Sequence, residues 1–460
     1  MKKLIVLFLG YFSVAVFGVS MNFHGNFRAE GTYYKNADLG SGSNDVKQFI
    51  GARGLLNPDI IIDDHFSIRS QWSLLTSPVF TPNGGVPLGV GQGGWIFGDV
   101  QSLNLQLSRA WLEWTSDFGV FRIGRMPFSW GYGLVWDAGN QTWDDFQTTY
   151  DRLEYRLHLG NIIGALAYSK PRKLSVLGNS NDSEFYTVYL QYRNPEMEVE
   201  GGILYEKQER STSQNADLRG DRPPGGGVSP NPLNDPANSY PLSNKTPYAR
   251  SNDVVNVYLK KTMGRLTMGG ELAWLSGEAI DYNGNGTPDS LNGLGVLLSA
   301  SYEIHTVKGF IDALYVSGDA NLNDDNNNGF VLMNRNRRPG LILGRELLGP
   351  YYGNNAGLGS LLVYGDADTY SGVIYVRPGV RIEWSKSWAS ALEIIYAQKA
   401  TVSATDTKNL GLEVDFGTDY SVYRNFDLGA KLGYLFAGAG LRVGAPKNVF
   451  ALSMTASLTF

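Results

Sequence analysis

The 460-residue sequence predicts an all-β fold, a transmembrane antiparallel up-and-down β-barrel of about 18 strands. Three observations carry this expectation. From Asn22 onward the apolar residues recur with period 2, the strand period. The alternating segments run to about 9–13 residues, enough to cross a bilayer at a tilt, where soluble strands usually stop at about 5–6. The connections alternate short and long, as in barrels with tight turns on one side of the membrane and larger loops on the other.

Composition narrows the function classes. A net charge of −5 with no long basic stretch excludes a nucleic-acid binder. The absence of cysteine excludes a disulfide framework and thiolate metal sites. Charged residues make up 18% of the chain, below the soluble norm of about 25%, which fits a chain whose two faces meet different media.

In chain order, residues 1–20 (MKKLIVLFLGYFSVAVFGVS) read as a secretory signal peptide. Lys2 and Lys3 precede the apolar run Leu4–Val19, and small residues offer cleavage after Gly18 or Ser20. Losing both lysines takes the net charge from −5 to −7. Residues 21–460 then form a single barrel domain. No later segment is a continuous apolar run of the length a helix needs, so the mature chain can span a bilayer only as a closed barrel.

The first strand sets Phe23, Phe27 and Tyr33 against His24, Arg28 and Glu30, and the last sets Phe450, Leu452, Met454 and Phe460 against Ser453, Thr455 and Ser457. Between them, short turns are expected near Asn57–Asp64, Ser116–Phe118, Gly160–Asn161, Asn194–Glu196, Thr262–Gly264, His305–Lys308, Ser385–Ser387 and Thr418–Arg424. Long loops are expected near Lys35–Asp45, Ser77–Val100, Phe128–Gln147, Pro171–Ser183, Ser276–Asn292, Ala400–Thr407 and Ala437–Lys447, with the largest at 209–252 and 318–368. Eight turns and nine loops make 18 strands. A parity change between Leu107 and Ala110 predicts a bulge near Ser108–Arg109. Pro378, inside a strand of a sheet without edges, predicts a second. Tyr33, Trp72, Trp114, Tyr168, Tyr192, Trp274, Tyr315, Trp384, Trp388 and Tyr396 lie near strand ends, where aromatic girdles form.

A charge turned toward lipid at mid-bilayer costs about 2–4 kcal/mol for Arg or Lys, so the charged parity of each strand faces the lumen. Arg28, Arg53, Arg69, Arg122, Arg152, Glu154, Arg156, Lys260, Arg377, Arg381, Glu383 and Lys431 are therefore candidate pore-lining residues. So are Glu271, Glu393, Glu413 and Asp415. A barrel this wide leaves room for water, and rings of charge bias which solutes pass. The 318–368 loop carries Arg335, Arg337 and Arg338, then the apolar LILGRELLG, and is expected to pack inside the mouth with Phe128–Gln147.

The chain ends SMTASLTF, with Phe460 last on an alternating strand. Together with the leader and the strand count, this resembles a bacterial outer-membrane porin of the Gram-negative type. Phe121–Asn140 (FRIGRMPFSWGYGLVWDAGN) is similar to the strand-to-loop passage of alginate-export-type porins. The resemblance implies contact with outer-membrane lipid and recognition of the Phe460 strand by the outer-membrane assembly machinery. It also implies that Arg122 and Arg125 face the pore and that Phe128–Gln147 folds inward. The alginate-type pore is strongly basic, whereas here acids and bases interleave. The expected function is thus passive diffusion of small polar solutes through a mixed-charge, loop-constricted pore. The alternative is a structural or adhesive barrel with a plugged lumen, whose loops bind a surface partner.

No cofactor is required. Two outer-loop segments begin like Ca²⁺ loops: Asp281, Asn283, Asn285 and Asp289 in one, and Asp324, Asn326 and Asn328 in the other. Neither has Glu at the twelfth position; Asn292 and Arg335 stand there. An enzyme is not expected. His24, His65, His158 and His305 all fall at the short-turn end, away from the outer rim where a barrel hydrolase would need one.

Overall fold

The computed structural model describes residues 19–36, 46–74, 105–144, 147–170, 184–210, 250–278, 287–321, 324–330, 336–337, 339–343, 371–402, 407–441 and 446–460. Its strands are β1 (Ser20–Lys35), β2 (Val46–Ile61), β3 (Phe66–Leu74), β4 (Leu105–Ser116), β5 (Gly119–Pro127), β6 (Thr149–Leu159), β7 (Ile162–Lys170), β8 (Glu184–Asn194), β9 (Val199–Arg210) and β10 (Arg250–Met263). They continue as β11 (Leu266–Glu278), β12 (Ser290–Ile304), β13 (Val307–Val316), β14 (Asn326–Asn327), β15 (Val373–Ser385), β16 (Trp388–Gln398), β17 (Asn409–Tyr423), β18 (Phe426–Ala437) and β19 (Val449–Thr459).

The two-residue β14 adds parallel to β12, and β13 pairs directly with β15. Each of the other strands pairs antiparallel with its neighbours in the chain, and β1 pairs with β19. The described residues thus form a closed barrel of 18 strands, the number that the alternating turns predict. The seam sets Asn26 opposite Thr459 and Lys35 opposite Phe450. Gly25 and Phe460 exchange main-chain hydrogen bonds of 2.9 and 3.1 Å.

Two turns are tighter than expected. β2 runs on to Ile61, which pairs with Ser20 of β1 and Ser67 of β3, and on the way Asp59 faces Arg69, 3.8 Å away. β17 likewise runs on to Tyr423. The bulge at Ser108 is present: Gln71 faces Arg109 while Trp72 faces Leu107, and the extra Ser108 donates its hydroxyl to the Gln71 carbonyl at 3.0 Å. The bulge expected at Pro378 is not. Pro378 faces Ile311 in unbroken register, and the ladder to β16 lapses over Arg377 and Pro378 but resumes in the same register at Gly379–Glu393. One missing donor is absorbed as a gap in the ladder; the irregularity of β15 lies instead between Glu383 and Ser385.

The outward face is apolar. Ile123, Leu153, Leu166, Leu190, Ile203, Leu259 and Leu298 are each half or more exposed. Aromatic belts border this band. On the turn side Phe66, Trp114, Phe121 and Tyr155 stack in sequence at 6.0, 5.4 and 4.6 Å, and Trp384 meets Trp388 at 5.9 Å. On the loop side Tyr168 meets Tyr186 at 5.4 Å and Tyr434 meets Phe436 at 4.9 Å. A greasy belt of this extent needs lipid rather than water, and a closed sheet leaves no unpaired edge toward the lipid. The architecture is that of an outer-membrane barrel.

Candidate functional site: the lumen wall and two inserted segments

Between β5 and β6 the chain turns into the barrel. A turn closes with Trp130 N–H donating to the Trp136 carbonyl (3.2 Å) and Gly133 N–H to the Trp130 carbonyl (3.0 Å). Phe128, Trp130, Leu134 and Trp136 are buried against inward side chains such as Tyr189 and Tyr258. One end docks on β10 and β11. The Trp130 indole donates to Asn256 Oδ1 at 2.9 Å, and Asn256 Nδ2 donates to Glu271 Oε1 at 2.7 Å. Glu271 Oε2 accepts the amides of Tyr132 (2.6 Å) and Leu134 (3.1 Å).

Two glycines make this docking possible. A Cβ on Gly202 would stand 2.7 Å from the Trp130 ring, and one on Gly269 would stand 2.0 Å from the Tyr132 hydroxyl. Both are close-approach positions that any side chain would fill.

The other end of the segment is held by arginines across the barrel. Arg28 donates to the Thr142 carbonyl at 2.7 Å, Arg53 to the Asp144 carbonyl, and Arg109 to Asn140 Oδ1 at 2.8 Å and to the Ala138 carbonyl. β10 lies about half a circuit from β1, so the segment crosses the lumen. Burial, reinforced by neighbouring Asp137, pushes the Asp144 carboxyl up to about 6, against the opposing pull of the Gln141 amide and of Arg53 and Arg28.

A second segment enters from the connection between β13 and β15. Leu341, Ile342 and Leu343 are buried, and carboxylates hold their amides. Leu341 N–H donates to Asp415 Oδ2 at 2.8 Å, and Ile342 and Leu343 donate to the two oxygens of Glu413 at 2.7 Å each. Arg377 donates to the Pro339 carbonyl at 3.4 Å, and Arg337 joins the two segments by donating to the Tyr132 carbonyl. Arg335, Arg338 and residues 344–370 lie outside the described residues, as does nearly all of the 209–252 loop.

Among the described residues, the inward charges include two networks. Around β2–β6, Arg69 contacts Asp59 (3.8 Å) and Glu113 (3.3 Å), and Arg122 contacts Glu113 (3.3 Å) and Glu154 (3.1 Å). Buried Glu154 also meets Arg152 (3.1 Å) and Arg156. The Arg152 guanidinium lies 4.3 Å from the centre of the Phe128 ring, on the inserted segment. Around β13–β18, Arg377 pairs with Asp312 and approaches Glu393 at 3.9 Å. Lys431 bridges Glu393 (3.5 Å) and Asp415 (3.1 Å), and Arg381 meets Asp419 at 3.0 Å. Lys260 and Glu383 share the inward parity and are exposed.

Arg125 does not join them, which corrects the expectation taken from the resemblance. It lies on the exposed parity of β5 with Phe121 and Ile123, opposite to Arg122 and Met126, and pairs with Asp151 at 3.3 Å on the outward face. The reason is the period itself: Arg122 and Arg125 are an odd number of residues apart in an unbroken strand, so they cannot share a face. The sequence reading also missed Arg109, Asn256, Gly202 and Gly269. The glycine pairs 201–202 and 269–270 inside strands were the available signal.

Of the calcium candidates, Asp281, Asn283 and Asn285 lie outside the described residues. Asp289 is buried at the start of β12. Asp324 Oδ1 accepts the Asn326 amide at 2.9 Å, an Asx turn, and the Asn328 amide donates to Asp319 at 2.7 Å. Among the described residues no three His, Asp or Glu side chains cluster as metal ligands. All four histidines lie at the short-turn end.

No protein-family model and no curated protein matches the sequence. Solved structures do match the fold. The crystal structure of Pseudomonas aeruginosa OpdK with vanillate aligns at a TM-score of 0.53 and 10% identity, over 95% of this chain and 98% of that one. That of Pseudomonas aeruginosa OccK8 (OprE) aligns at 0.53 and 8%, over 96% and 98%. OpdK is described as an outer membrane protein. At these identities the likeness is one of fold, and it places the chain's architecture with outer-membrane barrels.

Proposed function

We propose that this barrel is an outer-membrane channel for passive diffusion of small polar solutes, zwitterions among them. The observation that carries the reading is the pairing of a lumen-crossing segment with walls of unequal charge. Arginines predominate on the β1–β6 side (Arg28, Arg53, Arg69, Arg109, Arg122, Arg152, Arg156). Carboxylates predominate on the β11–β18 side (Glu271, Asp312, Glu393, Glu413, Asp415). Segments 128–148 and 339–343 narrow the passage between the walls, and a solute carrying both charges aligns across the gap. The Phe460 strand serves as the handle for the assembly machinery. The reading needs no cofactor, and thermal shift with and without EDTA reads out calcium at the outer loops.

Liposome swelling tests the channel: amino acids and small sugars should enter, and a plugged adhesive barrel would admit neither. Planar-bilayer reversal potentials test the walls. Arg122→Gln with Arg156→Gln should shift permeability toward cations, and Asp312→Asn with Glu393→Gln toward anions. Each removed charge should count for roughly twofold, as about 0.5 kcal/mol across ~8 Å of water implies. Identical shifts from both pairs would rule out opposed walls.

A further inference from the structure

The second inserted segment sits in its wall as a ligand sits in a receptor. Gly340 presses its backbone onto Glu413, where a Cβ would stand 2.5 Å from Oε2. The next three amides, those of Leu341, Ile342 and Leu343, run onto the carboxylates of Asp415 and Glu413, and all three side chains are buried. Leu341 covers Gly433 of β18, which faces Asp415 across the ladder. A Cβ on Gly433 would stand 3.3 Å from the Leu341 side chain and 2.6 Å from Asp415 Oδ1.

The occupant does not match the charge of its seat. Among the described residues, Asp312, Glu393, Glu413 and Asp415 are set against two cations, Arg377 and Lys431. Residues 339–343 read Pro-Gly-Leu-Ile-Leu and bring no charge of their own. The two Glu413 oxygens accept neutral amides. Asp415 Oδ2 takes both the Leu341 amide and Lys431, while Oδ1 of this fully buried side chain has no hydrogen-bond partner. A buried carboxylate oxygen is unfavourable without a donor, and charged donors serve it better than neutral ones. An ammonium group supplies three donors and the missing positive charge. Branched apolar side chains attached to it would fill the space that Leu341, Ile342 and Leu343 fill now.

We propose that the wall site at Glu413 and Asp415 is a receptor for the amino terminus of a short apolar peptide, and that segment 339–343 is its built-in stand-in. The ammonium takes the carboxylate oxygens, the apolar side chains take the buried pocket, and the segment is displaced toward the lumen. The site must first be vacated, so the ligand's apparent affinity is reduced by the fraction of time the segment is out. Opening of the passage on displacement rests on the channel reading; the binding itself does not.

The test is hydrogen exchange, read by mass spectrometry, on the full-length barrel in nonionic detergent. Leucyl-leucinamide is the probe and its N-acetyl form the uncharged control. Fragments covering Leu341–Leu343 should exchange about tenfold faster with the probe and no faster with the control, as replacing charge-assisted by neutral contacts implies. Fragments covering Tyr132 and Leu134, held by Glu271, should respond to neither. Equal acceleration by both compounds would overturn the proposal, as would acceleration at Tyr132 and Leu134 to the same degree, which marks general loosening. No acceleration by either would also overturn it and would assign Asp415 Oδ1 to a proton shared with Glu413. Glu413→Gln with Asp415→Asn keeps acceptors for the segment and removes the charge, so the probe's effect should vanish there; its persistence would place the ligand elsewhere. The wild-type comparison of probe and control decides the matter even where that variant fails to fold. In planar bilayers the probe should raise single-channel conductance. A barrel that conducts nothing in any state would sink the channel reading, while the exchange result still decides the site.

Discussion

Segments 128–144 and 339–343 both enter the barrel, yet the wall grips the first through carbonyls and amides alike and the second chiefly through amides. On the first, Arg28, Arg53 and Arg109 hold carbonyls at one end, and Glu271 holds amides at the other. On the second, Glu413 and Asp415 hold three successive amides, and Arg377 reaches a single carbonyl at longer range. A cation can only donate and a carboxylate only accept, so the charge pattern of a strand decides which backbone atoms a loop must present. The first segment is anchored at two distant walls and the second chiefly at one strand. The second should therefore be the easier to release.

The largest effect expected follows from that difference. Glu413→Ala with Asp415→Ala leaves the amides of Leu341, Ile342 and Leu343 without acceptors, at about 1–3 kcal/mol each. Hydrogen exchange at these amides should accelerate by orders of magnitude, and single-channel conductance should rise. Unchanged protection would mean that packing of the three apolar side chains alone holds the segment.

A smaller effect is expected from Glu271→Ala, which frees the Tyr132 and Leu134 amides and deprives Asn256 of its acceptor. The arginine anchors remain, so the segment should loosen at one end only. Open-channel current noise should increase while the barrel's thermal midpoint stays near wild type. A collapse of the whole fold would show that Glu271 supports the wall rather than the segment.

The smallest effect concerns Asp144. Its folded value of about 6 lies above the ordinary 3.8, so the folded chain holds the proton more tightly than the unfolded chain does. Its contribution to stability is therefore fully present below the unfolded value of 3.8 and is lost as pH rises through the folded value of about 6. Channel current as a function of pH should show an inflection near 6 that Asp144→Asn removes. An inflection that persists in the variant would assign it to another group.

Much of the barrel could be read from the residues because its rules are local. Alternation, turn residues and the parity change at Leu107–Ala110 are all visible within a dozen positions, and each has its counterpart in the ladder. The inward parity of most charges follows from the same alternation, while Arg125 was misplaced where a borrowed motif overrode it. The docking of the inserted segments was not readable to the same degree. Trp130 meets Asn256 and Arg28 meets Thr142 across more than a hundred residues of chain, and nothing in a local pattern names such partners. Pro378 failed as a bulge marker for a related reason: a long ladder tolerates one missing donor, and the tolerance belongs to the neighbouring strands rather than to the proline.

The meeting of β1 with β19 has a consequence for biogenesis. Asn26 finds its neighbour at Thr459, so the first strand to be made waits for the last. Every intermediate before that moment carries two raw, adhesive margins, and joining such distant partners is slow. A copy cut short before β19 would leave β1 without this partner and the ring unclosed.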